Sequence, residues 1–180
     1  MLDVPPHIRL LEAIRQTLQT VDYLTDAGVL NVKVRHRRNR NAKPSEIPGV
    51  AIHFVDDDGP DDDQLDITQG ERQRRLTVDL IYDLKLQPER SDVDQDPETP
   101  GVDVDPTGFL QLSRMDAATI RGLKLQGSAI DVLSDYISIK SAGPHDDSQP
   151  DQGRLVRTII VLYRVLADDE NVLLAEGQNG

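Results

Sequence analysis

The sequence contains no cysteine and no tryptophan, and aromatic residues make up only 3% of its 180 residues. Without cysteine the chain can form neither a disulfide nor a cysteine-ligated metal site, so its fold does not depend on an oxidising compartment. No run of about 18 apolar residues is present, so we expect no membrane-spanning helix. The first residues lack the basic start, apolar block and small-residue cleavage site of a secretory signal. We therefore expect a protein that is made and folded in a cytoplasm.

Positive charge is also scarce, because 20 Lys and Arg residues face 32 Asp and Glu residues, which gives a formal net charge of −12. Such acidity opposes general binding to DNA phosphates and favours solubility. The apolar fraction of 37% is low for this length and predicts a modest core with long polar loops. Length favours one domain, which we place at residues 1–166, followed by a polar C-terminal tail at 167–180.

Sequence motifs that carry chemistry are missing as well. The chain has no GxSxG elbow, no phosphate-binding GxxxxGK[ST] loop, no GxGxxG turn and no cysteine nucleophile. Its histidines lack the spacing of metal ligands, and they are His7, His36, His53 and His145. We read His53 as a structural residue of a strand. The sequence thus predicts no enzyme, no cofactor and no metal site.

The acid-rich segment 91–106 offers one alternative, a calcium site. Asp92, Asp94 and Asp96 occupy the first ligand positions of an EF-hand-like loop. However, Pro97 stands where that loop needs glycine, and Asp103 stands where it needs a bidentate glutamate. We therefore interpret the segment as a solvated acidic loop.

Hydrophobic periodicity predicts the element order α-β-β-β-α-β-β. Helices are expected at about 6–25 and behind a capping-box-like Ser113–Asp116. Strands are expected at about 30–35, 50–55, 74–87, 132–140 and 154–166. This order predicts an α+β domain, in which two helices pack on one face of an antiparallel β-sheet with long hairpin loops.

Three details of this sheet follow from the patterns. The first two strands are expected to be antiparallel partners. The strand at 74–87 alternates strictly, so we expect one dry face and one mostly wet face that carries Asp79 and Asp83. The strand at 154–166 is apolar at both parities, which predicts a central strand.

Against the acidic background, six basic residues fall within the eleven positions 33–43, and six Asp fall within the eight positions 56–63. The basic tract can be a solvated hairpin loop, an acid–base contact between subunits, or a nucleic-acid patch. It has no interleaved aromatic residue, so a nucleic-acid patch is the weakest of the three. The candidate interface residues are Lys33, Arg35, Arg37, Arg38, Arg40, Lys43, Asp56, Asp57, Asp58, Asp61, Asp62 and Asp63.

The order of elements resembles the tail terminator, or tail completion, family of long-tailed bacteriophages. Four stretches carry the resemblance, and they are HIRLLEAIRQTL, RRLTVDLIYDLKL, SRMDAATIRGL and RLVRTIIVLYRV. They cover most of the chain outside its loops. The resemblance is one of periodicity and order, because no catalytic motif defines that family.

The resemblance implies a structural virion protein of the tail or neck, assembled in the host cytoplasm. It would form a homo-oligomeric ring, usually of six copies, that caps the tail tube and stops its polymerisation. Its other face would meet the neck or head-completion protein, and DNA would pass through an acidic lumen without specific binding. The alternatives are another neck or head–tail connector component, or a nucleic-acid-binding domain that uses residues 33–43.

Overall fold

The fold consists of helices layered on a β-sheet, and a computed structural model describes residues 4–22, 24, 31–35, 47–58, 70–85, 109–144, 152–166 and 168–174. The helices are α1 (Pro6–Gln19) and α2 (Phe109–Leu123). The strands are β1 (Asn31–Arg35), β2 (Gly49–Asp58), β3 (Glu71–Lys85), β4 (Tyr136–Pro144), β5 (Gln152–Leu166) and β6 (Leu173–Leu174). Within the described residues, the helices and strands therefore follow the predicted order, with a short β6 added.

The six strands form one sheet in the order β1-β2-β3-β5-β4, and β6 pairs with the end of β5. The central position predicted for β5 is confirmed, since β3 and β4 flank it. All neighbouring strands are antiparallel except β1 and β2, which run parallel. The predicted antiparallel pairing of the first two strands is thus wrong.

The register shows why the first two strands cannot form a hairpin. Asn31 pairs with Gly49, and Arg35 pairs with His53. The chain must therefore return from the end of β1 to the start of β2 through residues 36–48 before it pairs. A connection of about a dozen residues is the minimum for a parallel crossover. The alternation of side chains is the same for both strand directions, so the local pattern could not distinguish them.

Both helices pack on one face of the sheet, which confirms the predicted α+β class. Leu10, Ile14 and Leu18 recur every four residues along α1 and are fully buried. Full burial of one such side chain contributes roughly 1.5–3 kcal/mol. Against them lie the apolar residues of the sheet, among them Val50, Ile52, Leu76, Val78, Leu80, Tyr82, Leu155, Ile159, Val161 and Tyr163.

Three predicted boundaries are wrong. α1 ends at Gln19 rather than near residue 25. At this end, the Thr20 hydroxyl donates to the Thr17 carbonyl at 2.8 Å. α2 begins at Phe109, so the expected capping box lies inside the helix. The strand expected at 132–140 is a 3-10 turn, Asp131–Leu133, followed by β4.

The opposite face of the sheet is not wet at its centre, contrary to the prediction for β3. Asp79 and Asp83 are only 3% and 2% exposed, and His53 is 2% exposed. The Thr158 hydroxyl donates to Asp79 Oδ1 at 2.6 Å, and Arg154 donates to Asp83 Oδ1 at 2.7 Å. Cross-strand partners thus satisfy these buried carboxylates, which an alternating pattern cannot reveal.

The outer strands of the sheet are short or irregular. Within the described residues, β1 and β4 each pair with a neighbour on one side only. β1 has five residues and exposes Lys33. The pairing of β4 with β5 shifts between Ile139 and Ala142, beside the exposed Lys140.

Residues 168–174, which fall in the predicted tail, lie on the domain. Leu173 pairs with Val165 of β5 and is 6% exposed. The Val172 carbonyl accepts from the Leu166 amide at 3.1 Å. The described part of this segment therefore extends the sheet.

Candidate functional site

The described members of the predicted interface lie on adjacent strands. Lys33 is exposed on β1, and Arg35 is the last residue of that strand. Asp56, Asp57 and Asp58 belong to β2 rather than to the acidic loop that the sequence predicts. The remaining predicted residues lie outside the described part of the chain, and they are Arg37, Arg38, Arg40, Lys43, Asp61, Asp62 and Asp63.

The parallel pairing of β1 and β2 places the described parts of the two charged segments towards the same end of the sheet. Arg35 pairs with His53, and β2 continues beyond it to Asp58. The described residues of the basic tract and of the acidic run therefore lie on neighbouring strands that run in the same direction. A hairpin would have placed them at opposite ends.

A bulge in β2 determines where each aspartate points. Phe54 pairs with Val78, whereas Asp56 pairs with Thr77 and Asp57 with Leu76, so the register shifts by one residue. Such a bulge moves the following side chains to the opposite face. As a result, Asp57 lies on the helix-bearing face of the sheet.

Asp57 is the centre of a polar cluster at the start of α1. The Tyr163 hydroxyl donates to its Oδ1 at 2.6 Å. His7 Nδ1 lies 3.4 Å from its Oδ2, and Arg74 Nε lies 3.4 Å from its Oδ1. The His7 ring also contacts the Phe54 ring, with centroids 5.4 Å apart. Burial, reinforced by the bond to Asp57, raises the pKa of Tyr163 well above its ordinary value.

Two arginines extend this cluster to the turn after β5. Arg74 Nη1 donates to Glu170 Oε2 at 2.8 Å, and Arg72 donates to the other oxygen of the same carboxylate. Arg74 Nη2 also donates to the backbone carbonyl of Asp57 at 3.1 Å. These bonds join β2, β3 and residues 168–171.

The opposite face carries a second set of ion pairs at the same end. Arg75 lies 3.1 Å from Asp58. Arg164 contacts Glu71 at 2.8 Å and Asp135 at 2.9 Å. The Glu71 carboxylate, and after it Asp135, raises the pKa of Arg164, so its charge is permanent.

We call this region the charged end. It consists of five carboxylates and four guanidiniums at the end of β2, the start of β3 and the end of β5, and its members are Asp57, Asp58, Glu71, Asp135, Glu170, Arg72, Arg74, Arg75 and Arg164. Each guanidinium is held by a carboxylate of the same chain. The charged end is therefore a pre-organised, slightly acidic surface with little attraction for phosphate.

A different ion pair fixes α2 to the sheet. Arg157 on β5 donates through Nε to Asp116 Oδ1 at 3.0 Å, and a second bond joins the same two groups. Arg157 Nη1 donates to the Lys140 carbonyl, at the irregularity of β4, at 2.5 Å. The expected capping role of Asp116 is wrong, because this carboxylate is 8% exposed and belongs to the sheet contact.

Tyr82 lies beside this pair and is fully buried. Burial, and secondly the Asp116 charge, raises the pKa of the Tyr82 hydroxyl well above its ordinary value. The phenol therefore stays neutral at physiological pH. Sequence reasoning missed the pair, although one signal exists, since Arg157 interrupts an otherwise apolar face of β5.

Comparison with known protein families finds no family model that matches the sequence, and comparison with characterised proteins finds no match. Among the residues that the structure describes, no three His, Asp or Glu side chains converge as metal ligands. Within the same residues, no helix combines the length and apolar character needed to cross a bilayer.

Proposed function

We propose that this chain is a structural virion protein of the tail terminator kind. Copies of it would assemble into a ring on the last layer of a phage tail tube. The ring would stop tube growth and present its other face to the neck or head-completion protein. The proposal starts from the resemblance in element order, and the confirmed α+β class is consistent with it. Because one fold can serve many functions, the proposal depends mainly on the surface chemistry.

The observation that carries the proposal is the charged end. Its charges come from β2, β3, β5, the turn after β5 and the residue before β4, and they lie on both faces of the sheet. In-chain ion pairs hold these side chains in place before any partner arrives, which lowers the entropy cost of docking. An ordered set of alternating charges selects a complementary protein surface and fixes its orientation.

The acidity of the chain supports the same function. A ring through which DNA passes must not bind phosphate, and a net charge of −12 repels it. The arginines of the charged end do not reverse this effect, because each is paired with a carboxylate. Their neutralisation leaves the excess of Asp and Glu to set the sign of the electrostatic field.

The proposal is tested with the purified full-length chain. Sedimentation velocity over a wide concentration range should show a closed oligomer, and negative-stain images should show rings. Added to growing tail tubes, the protein should bind their ends and halt polymerisation. A chain that stays monomeric at every concentration and leaves tube ends free would refute the proposal. Binding to head-side connectors but not to tube ends would instead favour another neck component.

The charged end can be tested separately by an Arg72→Glu/Arg74→Glu variant. The double reversal places new acids beside Glu170 and Asp57, so docking should weaken strongly. A control is Arg15→Glu, a single reversal of a partly exposed charge of α1 that pairs only with its own helix neighbours. If both variants cap tubes as well as the wild type, the charged end is not the docking surface.

A further inference from the structure

The outer face of α2 carries a basic stripe in this acidic chain. Arg114, Ala117, Arg121 and Lys124 follow one another at three- and four-residue steps, and all four are exposed. That spacing places them in one row along the helix. The only acid of α2 is Asp116, which is buried against Arg157 and so adds no negative charge to this face. We call these four residues the α2 stripe.

The α2 stripe differs from most other arginines in its surroundings. Seven described arginines pair with a carboxylate of the same chain, and they are Arg15, Arg72, Arg74, Arg75, Arg154, Arg157 and Arg164. No carboxylate of the described residues lies within salt-bridge distance of Arg114, Arg121 or Lys124. Within the described part of the chain, the positive charge of the stripe therefore has no carboxylate partner.

We propose that the α2 stripe docks on a carboxylate-rich surface of a neighbouring copy of this chain. The inference rests on the proposed ring function, and it names the basic side of the contact between copies. Each copy supplies the complement, because its acids exceed its bases by 12 charges. Two different patches on one molecule produce head-to-tail contacts, which close into a ring when the rotation permits.

The shape of the stripe favours a protein surface over a nucleic acid. Ala117 separates the basic residues with a small side chain, and Leu125, at the end of the row, is 63% exposed. Apolar groups beside the charges suit a protein interface and contribute nothing to phosphate binding. Charge attraction acts over a Debye length of about 8 Å at physiological salt, so the stripe works locally despite the overall negative charge.

The stripe also revises the sequence-based expectation for the basic tract. The tract at 33–43 was a candidate partner for acids of a neighbouring copy. However, its described residues Lys33 and Arg35 lie on β1, and Lys33 already has a partner within the chain. The α2 stripe lies on the helix layer, and its basic residues form no ion pair with a described acid.

The test compares two double charge reversals in the full-length chain. Arg114→Glu/Arg121→Glu removes the stripe, whereas Arg9→Glu/Arg15→Glu reverses two charges of α1 by the same amount outside the charged end. Sedimentation velocity should show self-association at least tenfold weaker in the stripe variant than in the control. Raising the salt should weaken wild-type assembly towards the level of the stripe variant. Circular dichroism checks the fold, and Arg114→Gln/Arg121→Gln replaces the reversal if it misfolds.

The outcomes separate the two proposals. If the wild type and the stripe variant assemble equally well, the inference is overturned and the ring function stands. If the wild type does not assemble under any condition, both are overturned. If the stripe variant instead loses binding to a DNA duplex while its assembly is unchanged, the stripe is a phosphate site and the inference fails.

Discussion

The Asp116–Arg157 pair allows the sharpest test of the fold. Replacing Asp116 by leucine leaves Arg157, whose side chain is only 16% exposed, without its carboxylate beneath α2. Removing one partner of a buried ion pair costs about 3–5 kcal/mol. We expect the lower end, about 3 kcal/mol, because Arg157 keeps its bond to the Lys140 carbonyl. For a chain of this size that loss lowers the Tm by about 6–12 °C.

The assay is urea unfolding followed by circular dichroism, performed as a double-mutant cycle. Asp116→Leu/Arg157→Met should recover most of the loss, because an apolar pair can replace a buried ion pair at little cost. The control is Asp58→Leu, which breaks an ion pair whose side chains are 46% and 44% exposed, and it should cost less than about 1 kcal/mol. An Asp116→Leu loss no larger than that of the control, or a coupling energy near zero, would contradict the reasoning.

Three further predictions concern the helix contacts and the charged end. The pKa of Tyr163 is raised above its ordinary 10.0, so the unfolded chain loses this proton first and stability falls as pH rises above about 10. Tyr163→Phe should reduce that fall, to which the raised pKa of Tyr82 also contributes, as measured by urea unfolding on both sides of pH 10. An unchanged profile would exclude Tyr163 as one of its causes. Asp57→Ala leaves the Tyr163 hydroxyl without its acceptor and should cost about 1–3 kcal/mol; a loss below about 0.5 kcal/mol in thermal unfolding would show that water replaces the bond. Gly122→Val would overlap the Val21 side chain where α2 meets the end of α1, and should cost about 1–3 kcal/mol, against less for Gly122→Ala. Equal Tm values for these two variants would show that the helices separate freely.

Local patterns predicted the helices and strands. Partners distant in sequence decided the direction of β1, and local side-chain bonds decided the boundaries of two elements. The strict alternation of β3 and the double-sided apolar character of β5 are visible in sequence, because the pleat imposes them residue by residue. The parallel direction of β1 was not visible, since it depends on where Arg35 finds its partner. The boundaries of α1 and β4 depend on side-chain bonds of Thr20 and Ser134 to nearby carbonyls, which compete with regular structure.

The candidate site shows the same division. The sequence located Asp56–Asp58 as part of a charged segment but placed them in a loop. It could not show that a bulge turns Asp57 towards Tyr163, a residue 106 positions away. The α2 stripe was readable in principle, because Arg114, Arg121 and Lys124 share one helical face. Its significance depends on which arginines are already paired, and that requires the fold.

The outer strands have a consequence for how such a protein can assemble. An unpaired strand edge is a template on which further strands add without limit, as in amyloid. Here the exposed Lys33 on the five-residue β1, and the exposed Lys140 beside the irregularity of β4, obstruct that growth. A charged ammonium at each edge penalises the approach of a second backbone. In the proposed ring, copies of the chain would therefore meet through side-chain surfaces, whose geometry would set a finite number of subunits.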